Sequence, residues 1–189
     1  MKHTIPVGVS NRHVHLTEEH IKILFGDENA LTVLKDLSQP GQFAANEKIE
    51  IVGPKKSLVS RILGPARNAS QVEVSVSDTF VLGVEAVVRN SGDIEGTPGV
   101  ILRGPKGEVE LDKGVIVAAR HIHFHTSDAE AMGIKDKDIV KLRANTERPV
   151  TFENVLCRVH DEFALDCHLD MDEANAALIK NGDELELIK

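Results

Sequence analysis

The sequence predicts a mainly β protein with short α-helices, arranged as two duplicated β-barrel domains capped by those helices. Three observations predict it. An Arg-His-x-His tetrad occurs twice, each copy is followed by a matched helix pattern, and short β-branched runs broken by Gly, Pro and Asn fill the remaining chain.

The duplication comes first. Residues 11–16 read Asn-Arg-His-Val-His-Leu and residues 119–124 read Ala-Arg-His-Ile-His-Phe. After the first copy, Thr17 is placed to cap a helix through Glu18, Glu19 and Ile21 to Leu24, stopped by Gly26. After the second, Ser127 and Glu130 form a capping-box pattern and Gly133 supplies the stop. Each copy thus reads strand, His-x-His, short helix, glycine.

The other elements read mainly as strands: Lys48–Val52, Val59–Leu63, Gln71–Ser77 and Ala86–Val88, then Gly114–Ala118, Ile139–Leu142, Val150–Val159 and Phe163–Leu169. Alternation in the third run puts Val72, Val74 and Val76 on one face, with Glu73 and Ser75 on the other. A last helix is expected from Asp172 to Lys180, capped near Asp170 and stopped at Gly182. Many short strands with few helices suggest two small barrels or sheets, the first over residues 1–95 and the second over 96–189. Ser91–Gly107, rich in Gly and Pro, reads equally well as a turn-rich linker or as a loop lining a site.

Composition narrows the function. The chain has 189 residues, 41% hydrophobic and 28% charged, enough apolar material for a core. A formal net charge of −8, with no Trp or Tyr and six Phe, argues against nucleic-acid binding, which wants a basic face and stacking aromatics. Negative charge leaves room for a small anionic substrate, because local arginines or metal ions reverse the field in a cleft. No apolar run approaches the ~20 residues of a bilayer span, and MKHTIPVGVS lacks the apolar region of a secretory signal. Cys157 and Cys167 lack CxxC spacing, so two thiols in a reducing cytoplasm are expected rather than a disulfide.

Chemistry concentrates in the histidines. On a strand, residues i and i+2 share a face, so His13 with His15, and His121 with His123, make two-nitrogen claws suited to zinc. One such pair alone reads as surface alternation. Two pairs, each behind an arginine at the matching place in a repeat, read as metal ligands. The residues by themselves do not say what completes the claws. Glu73 reads as a solvent-facing carboxylate or a ligand, and His168 as a core histidine or a ligand. Arg67, in the turn Gly64–Asn68, reads as a solvated arginine or an anion binder. Ser91 and Gly92 offer a hydroxyl and backbone N–H groups, a weak signal by itself. The sequence has no P-loop, dinucleotide fingerprint or nucleophile elbow.

The strings VGVSNRHVHL, LSQPGQFAANEKIEIVGP, ILGPAR, QVEVS, SGD, GTPG, ARHIH and HLDMDEANAA occur in order from residue 7 to about residue 177. Together they closely resemble the phosphate propanoyltransferases of the propanediol-utilisation type. The resemblance implies a zinc phosphotransacylase of two helix-capped β-barrel domains, moving a short acyl group (propanoyl or acetyl) between coenzyme A and phosphate. It implies that His13, His15 and Glu73 bind one zinc, with the coenzyme A sulfur as a further ligand. His121, His123 and His168 would bind a second, with positions left for water or phosphate. Arg67 aligns with the family's catalytic, phosphate-binding arginine and Ser91 with a nearby polar contact. The partners implied are coenzyme A or acyl-CoA and phosphate or acyl phosphate, with a homodimer a reasonable assembly.

Members packaged in bacterial microcompartments carry an amphipathic N-terminal extension. Here the core begins at Ile5-Pro6-Val7-Gly8-Val9, so a free cytoplasmic enzyme is expected. The competing reading is a cupin-like metal-dependent enzyme or binding protein, since His13-x-His15-x3-Glu19-x6-Gly26 fits the spacing of the first cupin motif. That motif needs its Glu on a strand facing the metal, whereas Thr17–Gly26 reads as a helix. A structural zinc module is a further alternative, but such sites normally close four protein ligands.

Overall fold

The computed structural model describes residues 3–189. Met1 and Lys2, part of the N-terminal segment read above for signals, lie outside the described residues. In chain order the first elements are β1 (Thr4–Ser10), β2 (His13–His15), α1 (Glu18–Phe25), β3 (Val33–Asp36), β4 (Phe43–Val52) and β5 (Ser57–Gly64). Then come β6 (Gln71–Glu73), α2 (Val76–Leu82), β7 (Val88–Arg89), β8 (Val100–Arg103), β9 (Glu108–Leu111) and β10 (Val115–Ala118). The chain ends with β11 (His121–Phe124), α3 (Thr126–Met132), β12 (Ile139–Ala144), β13 (Val150–Val159), β14 (Asp166–Asp170), α4 (Met171–Ala176) and β15 (Glu184–Ile188).

The strands form one closed six-stranded barrel and one larger curled sheet, so the mainly β expectation holds. Two compact units result, each assembled from more than one segment of chain. One unit comprises Met1–Ser10, Ser38–Pro40 and Ala119–Lys189. It carries the barrel, in the order β1-β14-β11-β13-β12-β15, closed where β15 returns antiparallel to β1. Its core includes Ile5, Ile122, Phe124, Leu142, Val155 and Leu169, each at most 1% exposed.

The other unit comprises Asn11–Leu37 and Gly41–Ala118. Its sheet runs β7-β10-β6-β2-β5-β4-β8-β9, with β3 added at β4. Val14, Leu16, Leu24, Ile51, Ile62 and Leu102 are fully buried within it.

Local chemistry explains the helix ends. Thr17 caps α1 by accepting from the His20 N–H, and Gly26 closes it in the left-handed region that glycine enters without a Cβ penalty. Gly133 closes α3 in the same way. The N-cap of α3 differs from expectation: His125, not Ser127, fills it, its ring accepting from the Ser127 N–H. The strand has already ended there, so the imidazole takes the acceptor role a hydroxyl usually plays. The last helix is shorter than the expected 172–180 span and stops at Ala177.

Two strand expectations also change. The Gln71–Ser77 strand stops at Glu73, because Ser75 caps α2 in a reciprocal capping box with Asp78. Val72 and Val74 are buried as expected, but Val76 lies on the helix and is 38% exposed. A hydroxyl and an acid three residues apart outcompete one further turn of alternation. The Ser91–Gly107 stretch holds β8, which pairs with β4 and β9, so it is more than a linker.

Candidate metal centres

In the sheet unit, β2 lies between β6 and β5. Antiparallel pairing sets His13 opposite Glu73 and His15 opposite Gln71. Side chains two apart share a face, so this register alone puts both imidazoles and the Glu73 carboxylate together. His13 Nε2 lies 3.4 Å from Glu73 Oε2, and His15 Nε2 lies 3.6 Å from Glu73 Oε1. His13 Nδ1 donates to the Asn11 carbonyl at 2.9 Å, which leaves Nε2 with its lone pair.

Electrostatics keep Glu73 and His15 in ligand form. Burial opposes the charge on Glu73, but His13 and His15 beside it hold its carboxyl well below the usual range. Burial drives His15 down to about 4, against the pull of Glu73. His13 is pulled down by burial too, but the charge and hydrogen bond of Glu73 leave it raised. His15 Nδ1 is buried with no hydrogen-bond partner among the described residues, and its Nε2 is the nitrogen that faces Glu73.

A polar net backs this cluster. Gln71 Nε2 donates to Glu73 Oε1 at 2.6 Å and to Ser91 Oγ at 2.9 Å, and Gln71 Oε1 accepts from the Gly92 N–H. Ser91 Oγ in turn donates to Glu73 Oε1 at 3.0 Å and accepts from Arg67 Nη1 at 3.3 Å. The Arg67 backbone N–H is anchored on the Leu16 carbonyl at 2.8 Å. Arg67 and Ser91 therefore stand within one hydrogen-bonded network with the His13–His15–Glu73 trio.

The barrel unit repeats the arrangement. β11 pairs antiparallel with β14, His121 opposite His168 and His123 opposite Asp166. His121 Nδ1 donates to the Ala119 carbonyl at 2.9 Å, the counterpart of His13 on Asn11. His123 Nδ1 and His168 Nε2 are 3.0 Å apart, and the His121 and His168 rings stack with centroids 5.0 Å apart. Burial, then the neighbouring His121 and His168, drives His123 down to about 2, so its ring is neutral.

Both trios bring one donor atom from each residue within 4.8 Å of one another. Tetrahedral zinc with nitrogen donors at 2.0–2.1 Å separates its ligands by ~3.3 Å. The separations of 3.4 and 3.6 Å in the first trio and 3.0 Å between His123 and His168 fit, and imidazole with carboxylate is a donor set that zinc accepts.

Two supporting residues escaped the sequence reading. Gln71 and Asp166 hold equivalent places, each two residues before the third donor of its trio. Asp166 accepts from the Ser38 hydroxyl and the Gly8 N–H, and its Oδ2 lies 3.9 Å from His168 Nε2. A Cβ on residue 8 would come 2.9 Å from Asp166 Oδ2, so a larger residue there would displace that carboxylate. The available signal was the shared i−2 spacing, invisible until the third donors are known. The cupin spacing fails on Glu19, which is exposed on α1 rather than on a strand facing the histidines. No helix among the described residues is long and apolar enough to cross a membrane.

Comparison with known proteins identifies the family of the chain. The family model for phosphate propanoyltransferase matches residues 6–180. A phosphate propanoyltransferase of Thermotoga maritima is 52% identical over 187 residues, covering 98% of this chain and 89% of that protein. One from Leptotrichia buccalis is 50% identical over 180 residues, covering 95% and 85%. One from Clostridioides difficile is 48% identical over 186 residues, covering 98% and 89%. With a match over nearly its whole length, the chain belongs to the phosphate propanoyltransferase family of acyltransferases.

Proposed function

We propose that the chain transfers a propanoyl or acetyl group between coenzyme A and inorganic phosphate, using two zinc ions. One held by His13, His15 and Glu73 would receive the coenzyme A sulfur; the other would be held by His121, His123 and His168. The observation that carries this reading is the donor count. Each trio offers three protein ligands, whereas a structural zinc normally has four, so each leaves a position for substrate or water. Zinc so held lowers the pKa of a bound thiol, favouring thiolate as leaving group, and polarises bound oxygen.

The chain's own residues supply binding and orientation. Glu73, kept ionised, draws positive charge into the first trio, while Gln71 and Ser91 hold its carboxylate in place. We assign Arg67, with Ser91 beside it, to phosphate. A guanidinium grips two phosphate oxygens at once and offsets charge as a third attacks the acyl carbonyl. The new C–O bond forms as the C–S bond breaks, and coenzyme A departs as thiolate. Transfer is direct, within a ternary complex.

No cysteine is suited to carry the acyl group. Cys157 and Cys167 are free and fully buried. Burial, then Asp138 and Asp136, pushes the Cys157 thiol up to about 12, and burial pushes Cys167 well above its usual value. A thiol so protonated is a poor nucleophile. Cys157→Ala with Cys167→Ala should therefore keep kcat/KM within about twofold at temperatures where the fold is intact, despite some lost core packing. Ping-pong kinetics, or loss of turnover from a folded double variant, would refute direct transfer. A reducing cytoplasm suits these two free thiols.

The deciding experiment follows thioester formation from coenzyme A with acetyl phosphate and with propanoyl phosphate, before and after chelation. Activity is expected to fall on metal removal and return with zinc, and the rate ratio identifies the acyl group. A folded chain that binds two ions and forms no thioester would overturn the assignment.

A further inference from the structure

Each Arg-His-x-His motif opens with an arginine that the chemistry above does not use. In the sheet unit, Arg12 Nη2 donates to Asp78 Oδ1 at 2.6 Å. In the barrel unit, Arg120 Nε lies 3.0 Å from Glu173 Oε1. The two acids hold the same structural place. Asp78 is the third residue of α2, and its carboxylate accepts from the N–H of the cap Ser75. Glu173 is the third residue of α4, and its carboxylate accepts from the N–H of the cap Asp170.

The spacing to the metal trios is also the same. Glu73 stands two residues before the cap Ser75 and five before Asp78; His168 stands two before the cap Asp170 and five before Glu173. The string Glu-Val-Ser-Val-Ser-Asp (73–78) and the string His-Leu-Asp-Met-Asp-Glu (168–173) are therefore one device in two copies: third donor, cap, tethering acid.

Such a device answers a register problem. β2 and β6 are three residues long and share three pairs of facing residues, and β11 and β14 also share three. A slip of one residue would turn Glu73 or His168 to the opposite face, away from its two histidines. So short a ladder resists slippage weakly by its own hydrogen bonds. The ion pair spans from the residue before the first histidine, on one strand, to the helix that continues the other strand. The pairs are part-shielded, with side chains 30% and 9% exposed for Arg12 and Asp78, and 34% and 21% for Arg120 and Glu173.

We infer that Arg12 and Arg120 are positioning residues, each holding the third donor of its metal trio in register with the two histidines through the capping-box acid of the following helix. This rests on the metal-centre reading above and adds the parts that assemble each centre. The two devices act separately, one for each trio.

Zinc affinity of the chelator-stripped full chain, measured by competition with a chromophoric chelator, tests this without reference to turnover. Asp78→Asn and Glu173→Gln keep an amide oxygen to accept the cap N–H, so the capping box survives while the ion pair is lost. Each is expected to weaken one of two bound equivalents by about tenfold or more, as substitutions behind metal ligands do. Asp78→Asn combined with Glu173→Gln should weaken both equivalents. Arg12→Met and Arg120→Met leave both capping boxes untouched and serve if either acid variant fails to fold, with the same losses expected. Arg12→Lys and Arg120→Lys should recover part of the affinity. Variants that lose thermal stability yet bind both ions within about twofold of wild type would overturn the inference alone. A wild-type chain that takes up no zinc would sink the metal-centre reading and this inference with it.

Discussion

His121→Ala or His123→Ala is expected to abolish measurable turnover, a loss of about 10³-fold or more, while leaving the fold in place. The size follows from what the ion supplies. Several kcal/mol of charge stabilisation would depend on it in the proposed mechanism, and each 1.36 kcal/mol is a factor of ten in rate. The fold should survive because the two histidines lie on the opposite face of β11 from Ile122 and Phe124, which are fully buried in the barrel core. Neither histidine is replaceable by a neighbour. His168 is already engaged with His123 at 3.0 Å, and His125 caps α3. Steady-state rates together with far-UV circular dichroism check the prediction. A folded variant with one ion fewer and normal turnover would remove the second centre from the mechanism.

Arg67→Ala should cost about 10²-fold in kcat/KM for phosphate, with a much smaller change in the KM for the coenzyme A substrate. Loss of one preorganised donor to a developing oxyanion costs about 10²–10³ in rate. The local backbone should persist, because the Arg67 N–H to Leu16 carbonyl bond does not involve the side chain. Ser91 would lose its guanidinium neighbour but keep its bonds with Gln71 and Glu73, so the first trio stays supported. Arg67→Lys is expected to recover only part of the loss, since an ammonium cannot grip two oxygens in a plane. The kinetics should be read at low phosphate, where a binding defect is not masked. Normal rates there would mean that Arg67 does not hold phosphate.

Parts of this molecule were legible residue by residue. The two claws followed from strand periodicity and from repetition of Arg-His-x-His. Helix α1 was readable at both ends because Thr17 and Gly26 act locally, on backbone groups a few residues away. Valine alternation overran β6 because it says nothing about competition from a cap, and Ser75 with Asp78 turns the chain into α2. His125 escaped notice as a cap because an imidazole seldom takes that role. The β8 strand was hidden in Ser91–Gly107 because a four-residue strand is specified by its partners, here β4 and β9, rather than by its own composition.

The same division runs through the candidate metal centres. Sequence by itself determined the mainly β class, the duplication and the paired histidines, since each depends on interactions within a few residues of chain. Glu73, His168 and Arg67 had no local mark separating them from an exposed carboxylate, a core histidine or a turn arginine. Tertiary structure set Glu73 opposite His13 and His168 opposite His121, and joined Arg67 to the first trio through Ser91. It also decided which chain segments share a unit, pairing β1 with β14 and β15 across most of the sequence. The physical reason is that a third donor is chosen by strand register, and register is a property of two strands distant in sequence that neither one carries alone.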